Sequence, residues 1–243
     1  MSKILTFFLD IIFPKFCLGC NTEGIWLCQK CFKSIKRLNK QCCPVCRKKN
    51  FGETCNNCKE QSSIDGLIVS ASYDQTLIQK IIHYYKYQYI KELYQPLGAL
   101  LLNTINTNNI INNKKTIIIS IPLHKKRQLE RGYNQSTLLA KYIAKKLNLP
   151  YYDQLIIRKK NTEIQAHLLK KERLLNLNGA FKIKKNLDFH GKNVIIVDDV
   201  ATTLATLNSC ARLLKRAGAT EIWGLVIARG SYIERINGNP KNL

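Results

Sequence analysis

The 243-residue chain carries 39 lysines and arginines against 16 acidic residues, a formal net charge of +23. A hydrophobic content of 45% suffices for a packed core and argues against a disordered chain, and the length allows one large domain or a large and a small one. The charge suits a polyanionic partner (nucleic acid, a phosphorylated compound or an anionic membrane surface), although a bias toward Ile, Lys and Asn explains it equally well.

No stretch reaches the roughly 20 apolar residues that span a bilayer. The opening Ile4 to Phe13 is apolar but short, and Asp10 interrupts it. It lacks a small-residue cleavage site, so no signal peptide is expected. Leu5, Phe8, Leu9 and Ile12 share a helical face that would dock on the protein itself, with peripheral membrane contact as the alternative.

Eight of the ten cysteines form four CxxC pairs: Cys17/Cys20, Cys28/Cys31, Cys43/Cys46 and Cys55/Cys58. Such a turn aims two thiolates at one metal ion, and two turns complete a tetrahedral site. The simplest reading is two structural zinc sites in consecutive ribbons; a cross-braced pairing, first with third and second with fourth, stays open. A disulfide scaffold normally accompanies a secretory signal. Cys42 and Cys210 are left over, and Cys210 reads as a small core residue. Lysines and arginines between and after the pairs give the segment a basic surface.

From Ile64 the cysteines stop and strands alternate with helices. Leu67 to Tyr73 reads as a strand, and Leu77 to Leu102 as one or two helices, with Pro96 near the start of the second. The run His83 to Tyr94 interleaves aromatic and basic residues. It reads as a packed helical face with Lys86 in solvent, or as a stacking surface for bases. Asn103 to Asn113 reads as a loop. Ile117 to Ile121 forms a second buried strand. It leads into a basic loop with Lys125, Lys126, Arg127 and Arg131, and then a helix from about Asn134. Arg158 to Phe181 is a basic and then helical segment, read as a mobile flap or as an ordinary surface hairpin and helix.

The stretch Val194 to Leu207 carries the strongest signal. A buried strand runs into Asp198 and Asp199, turns through Thr202 and Thr203, and opens a helix at Thr206 and Leu207. Unpaired N–H groups at a helix start suit a phosphate. Adjacent carboxylates repel phosphate, but they accept hydrogen bonds from sugar hydroxyls or help hold a divalent metal. The pattern fits a sugar phosphate. A final strand spans Ile222 to Ala228.

This loop resembles the phosphoribosyl pyrophosphate loop of type I phosphoribosyltransferases, except that Leu204 stands where those proteins commonly have glycine. The CxxC pairs, Ile121 to Ser136, Arg158 to Phe181 and the acidic loop, in this order, resemble the ComF family of competence-associated proteins. That resemblance implies an α/β fold: a phosphoribosyltransferase-like, mostly parallel sheet flanked by helices (64–232) behind a small double zinc-ribbon domain (1–63), with a tail (233–243). It implies phosphoribosyl pyrophosphate with Mg as ligand, besides the two zinc ions. Asp198 and Asp199 would meet the ribose hydroxyls, and Thr202, Thr203 and Thr206 the 5-phosphate. Arg127 and Arg131 would sit near the pyrophosphate. Arg158, Gln165 and Arg173 would belong to a closing flap. The expected setting is cytoplasmic, in uptake of transforming single-stranded DNA beside a DNA-translocating helicase and other competence proteins, with the inner membrane face as a peripheral alternative. The contrasting expectation is a nucleic-acid-binding accessory protein that keeps the fold without catalysis.

Overall fold

The computed structural model describes residues 14–108, 115–159, 179–184 and 188–230. The apolar opening, the flap residues Gln165 and Arg173 and the C-terminal tail lie outside the described residues.

Apolar strand runs and amphipathic helices alternate along most of the chain. Helix α1 (Gln29–Ser34), a two-residue hairpin of β1 (Gln41–Cys42) and β2 (Lys49–Asn50), and a 3-10 turn (Asn56–Gln61) form the cysteine-bearing segment. There follow β3 (Gly66–Ser72), α2 (Thr76–Tyr87), a 3-10 turn (Lys91–Leu93), α3 (Tyr94–Asn108), β4 (Thr116–Ser120), α4 (Lys125–Arg131) and α5 (Gln135–Leu147). The chain then runs through β5 (Ile156–Arg158), β6 (Phe181–Ile183), β7 (Asn193–Ala201), α6 (Ala205–Arg216) and β8 (Glu221–Arg229).

Strands β3, β8, β7 and β4, in that order, form one parallel sheet. Continuous apolar runs belong in parallel strands because both faces are covered. The pleat sorts them by period two: Ile68, Ile195 and Val197 pack beneath α2, α3 and α5, while Leu67, Val69, Val194 and Ile196 face α6. The pair β5–β6 is antiparallel and adds Ile156 and Phe181 to the α6 side. The α/β fold with a parallel sheet flanked by helices is therefore as expected.

Three local expectations change. Asn103–Asn108 is not a loop but the last part of α3, whose Leu100, Leu101 and Ile105 are buried and carry the helix on. The basic residues 125–131 are a short helix of their own, with Gly132 at φ +70 ending it. Strand β7 does not stop at the acid pair. Asp198, Val200 and Ala201 stay in register with Val226, Ala228 and Arg229 of β8. On its other side β7 loses its partner, because β4 ends at Ser120, opposite Val197. The acid pair thus lines a crevice at the carboxyl ends of the strands, where ligands bind in such sheets.

The cysteine-bearing segment lies along the outer edge of β3. The Gln41 amide donates to Val69 O at 3.1 Å and accepts from Val69 N at 3.0 Å, satisfying an edge that would otherwise be a pairing hazard. Cys17, Leu18, Leu27 and Ile35 join the apolar cluster beneath α2 and α3.

Gly66 faces the Trp223 indole of the neighbouring strand, and a Cβ there would lie 2.3 Å from the ring. The ring is pinned by its N–H donating to Glu221 at 2.7 Å. Gly66→Ala is expected to cost about 1–3 kcal/mol, typical of overpacking, read as a lower urea midpoint. An unchanged midpoint would show that the indole yields freely.

Candidate functional site

Two side chains from other elements hold the acid pair. Asp198 Oδ1 accepts from Ser136 Oγ of α5 at 2.8 Å and from Asp199 N at 2.9 Å. Ser136 is presented there because Asn134 caps the helix, accepting from Ser136 N at 3.0 Å and Thr137 N at 3.4 Å. Asp199 Oδ1 accepts from Val200 N at 2.6 Å and pairs with Lys86 Nζ of α2 at 2.8 Å. Burial, then the neighbouring Asp199 charge, pushes the Asp198 carboxyl up to about 7, with Lys86 and Ser136 opposing. Burial also works against the Lys86 ammonium, but Asp199 and Asp198 outweigh it and keep its pKa above the usual value.

Lys86 is therefore not in solvent as expected. The missed signal lies in the helix period: Ile78 and Ile82 are buried on α2, and Lys86 continues that row at i+4. A lysine there needs a partner.

Past Ala201 the chain turns through Thr202, which is exposed, and Thr203, which is half-buried, into α6. Leu204 is the N-cap, with φ 62 and no side-chain cap bond. The first N–H groups of α6 therefore have no partner from a cap or from the helix, beside the half-buried Thr206. Leucine thus adopts the left-handed conformation that glycine takes readily, at a cost of about 1–2 kcal/mol. The side chain offsets that by burial, being 7% exposed in the cluster with Leu207 and Ile196.

The basic residues come from other elements, α4 and β5. Arg158, at the end of β5, lies 5.5 Å from the Phe181 ring centre. Burial and then Arg127 pull its pKa below the ordinary value, while Cys210 and Asp198 hold it up. Arg158 is thus within electrostatic reach of both Arg127 and Asp198. Arg131 stacks 5.3 Å from the Tyr87 ring centre and donates to Gln135 at 3.2 Å. The corner between α4 and α5 is tied to α2, since Tyr85 donates to Gln135 O at 2.9 Å and Tyr133 donates to Tyr85 O. Cys210 is fully buried on the inner face of α6, as a small core residue should be.

The thiols gather into two groups, Cys17/Cys20/Cys28/Cys31 and Cys43/Cys46/Cys55/Cys58, with the sulfurs of each within 4.8 Å of one another. Consecutive pairs combine, so the cross-braced alternative falls away. Cys20 and Cys28 sulfurs stand 3.6 Å apart, and Cys46 and Cys55 3.7 Å. A tetrahedron with Zn–S of about 2.3 Å has sulfur–sulfur edges of about 3.8 Å, so both groups fit zinc. Four adjacent thiols cannot all ionise alone: Thr22 draws Cys20 down to about 6, whereas burial and neighbouring thiols push Cys31 up to about 12. A dication relieves that conflict.

The second group meets the sheet through arginines. Arg229, at the end of β8, donates to Pro44 O inside the third CxxC, and Arg47 donates to Gly230 O at 3.4 Å. Burial, then Arg47, holds Arg229 below its ordinary pKa, with Cys43 and Cys42 opposing. Four thiolates around a zinc ion would carry a net charge of −2, which the two guanidiniums would balance.

Residues 86–243 match the phosphoribosyl transferase domain family. The chain is similar to Competence protein F of Haemophilus influenzae, 34% identical over 214 residues, covering 83% of this chain and 90% of that protein. This chain belongs to the ComF family. Other ComF-like relatives are DNA utilization protein YhgH of Shigella flexneri (29% identical; 87% of this chain, 96% of that protein) and Competence protein ComFC of Bacillus subtilis (28%; 84% of each).

Two outcomes are expected. The purified protein should hold two zinc equivalents per chain by elemental analysis, falling to one in Cys58→Ser; disulfides instead of metal would contradict the sulfur geometry. Leu204→Gly relieves strain but loses a buried leucine, which is worth about 2–5 kcal/mol. It should destabilise the protein by about 1–3 kcal/mol in urea; a gain would mean that strain outweighs burial.

Proposed function

We propose that this chain binds phosphoribosyl pyrophosphate with Mg in the crevice at the carboxyl ends of β4 and β7, and transfers or senses the phosphoribosyl group. The observation that carries this reading is the pinned acid pair directly before an uncapped helix start. The described contacts of both carboxylates fall on Oδ1, leaving each Oδ2 for a vicinal ribose hydroxyl. The N–H groups opening α6, with Thr202, Thr203 and Thr206, suit the 5-phosphate. Arg127, Arg131 and Arg158 suit the pyrophosphate, Arg as a planar fork for phosphate oxygens, and Gln165 and Arg173 would close over it. Mg would neutralise the leaving group. The chain's own part is positioning and charge stabilisation as pyrophosphate leaves the anomeric carbon.

The setting follows from the relatives' names, competence and DNA utilization. We infer a role in uptake of single-stranded DNA at the cytoplasmic side, with a DNA-translocating helicase and other competence proteins as partners. Residues 1–63 would form the metal-bearing domain. A second reading, a nucleic-acid-binding accessory protein, has its own support in the exposed ring of Tyr87 under Arg131 and the exposed ring of Tyr89 two residues on. It calls for DNA affinity that weakens steeply with salt.

Calorimetry with phosphoribosyl pyrophosphate and Mg should show saturable heat below millimolar ligand; a folded protein giving none would end the reading. The affinity should rise from pH 6 to pH 8, by at most about tenfold per unit, because the Asp198 carboxyl, raised to about 7, becomes the stronger acceptor for a sugar hydroxyl once it loses its proton. Stability runs the opposite way. A carboxyl raised from about 4 when unfolded to about 7 when folded contributes stability that is fully present below pH 4 and lost by pH 7. Asp198→Asn should therefore raise Tm at pH 8 by a few degrees while weakening the ligand. A lower Tm would mean that the carboxylate is not strained.

A further inference from the structure

The pairing of Lys86 with Asp199 needs an explanation that stability does not supply. The side chains are only 20% and 11% exposed, and buried ion pairs usually recover little more than their desolvation cost. Aliphatic residues at both positions would extend the Ile78–Ile82 row and the strand without that cost, whereas removing the lysine alone would leave Asp199 buried and unpaired. The ammonium instead reaches from α2 to β7, between elements distant in sequence. Its place is over-determined: the preceding residue, Tyr85, is fully buried, donates to Gln135 O, and accepts on its own carbonyl from Tyr133. The following residue, Tyr87, lies under the Arg131 guanidinium. The end of α2 is thus clamped on both sides of Lys86, which brings its ammonium within reach of the acid pair.

We propose that Lys86 is a positioning residue of the sugar site, fixing Asp199 through Oδ1 and supplying the positive charge that lets two adjacent carboxylates turn their other oxygens toward the ligand's vicinal hydroxyls. Resting on the phosphoribosyl reading above, this adds a residue from outside the loop. Lys86 serves the sugar end of the ligand, whereas Arg127, Arg131 and Arg158 serve the pyrophosphate end. The two ends therefore respond separately to substitution.

The experiment compares wild type, Lys86→Gln, Lys86→Arg, Asp199→Asn and the Lys86→Gln/Asp199→Asn double variant. Each is titrated with Mg–phosphoribosyl pyrophosphate and, separately, with Mg–pyrophosphate, which has no hydroxyls to offer. Lys86→Gln should weaken the phosphoribosyl ligand by about tenfold or more, leave pyrophosphate within about twofold, and add little once Asp199 is Asn. Lys86→Arg, which keeps the charge, should recover most of the loss. Equal binding of the phosphoribosyl ligand by wild type and Lys86→Gln would overturn the proposal. So would a parallel loss of both ligands, or a loss that persists undiminished in the Asp199→Asn background. Where Lys86→Gln does not fold, Lys86→Met, which keeps the stem in the Ile78–Ile82 row, takes its place: a loss confined to the phosphoribosyl ligand supports the role, and equal losses of both ligands overturn it. Wild type that binds neither ligand refutes the phosphoribosyl reading itself, a result distinct from any of these.

Discussion

Two neighbouring carboxylates at a strand end repel each other and resist burial, so they persist only where other elements bring compensating groups. Here α5 delivers the Ser136 hydroxyl to Asp198, and α2 delivers the Lys86 ammonium to Asp199. That requirement fixes the relative placement of β7, α5 and the end of α2. The tie between Tyr85, Tyr133 and Gln135 holds the α2 end against the basic corner. The crevice is therefore built by the same contacts that make the acid pair tolerable.

The cysteine-bearing segment completes the sheet instead of standing apart from it. Gln41 satisfies the outer edge of β3. Arg229 and Arg47 join the second thiol group to the end of β8. Gly230 N also donates to Ala201 O at 3.3 Å, so the metal-binding knuckle and the turn after the acid pair share a strand end. Through Arg47, Gly230 and Ala201 the cysteine-bearing segment thus reaches the backbone that leads into the Thr202–Thr203 turn.

Sequence made the parallel sheet legible, because runs such as Leu67 to Val69 and Val194 to Val197 have the composition of strands covered on both faces. The thiol groups were legible from spacing alone, although only three-dimensional proximity chose consecutive over cross-braced pairing. Lys86 was not, since its role depends on a long-range partner, and a lysine beside tyrosines reads locally as solvated. Its place in the Ile78–Ile82 row was the available clue. Asn103–Asn108 misled for the opposite reason. Asparagine favours turns, but burial of Leu101 and Ile105 overrode the local preference. Leu204 shows the same contest between local and tertiary terms: a residue poorly suited to positive φ holds it because its side chain is buried.

The most direct measurement is a crystal structure of the zinc-loaded chain with phosphoribosyl pyrophosphate and Mg. The account predicts the ribose hydroxyls within hydrogen-bonding distance of Asp198 and Asp199, the 5-phosphate against the first N–H groups of α6, and the pyrophosphate toward Arg127 and Arg158. Ligand bound elsewhere, with Lys86 and Ser136 still closing an untouched acid pair, would contradict it.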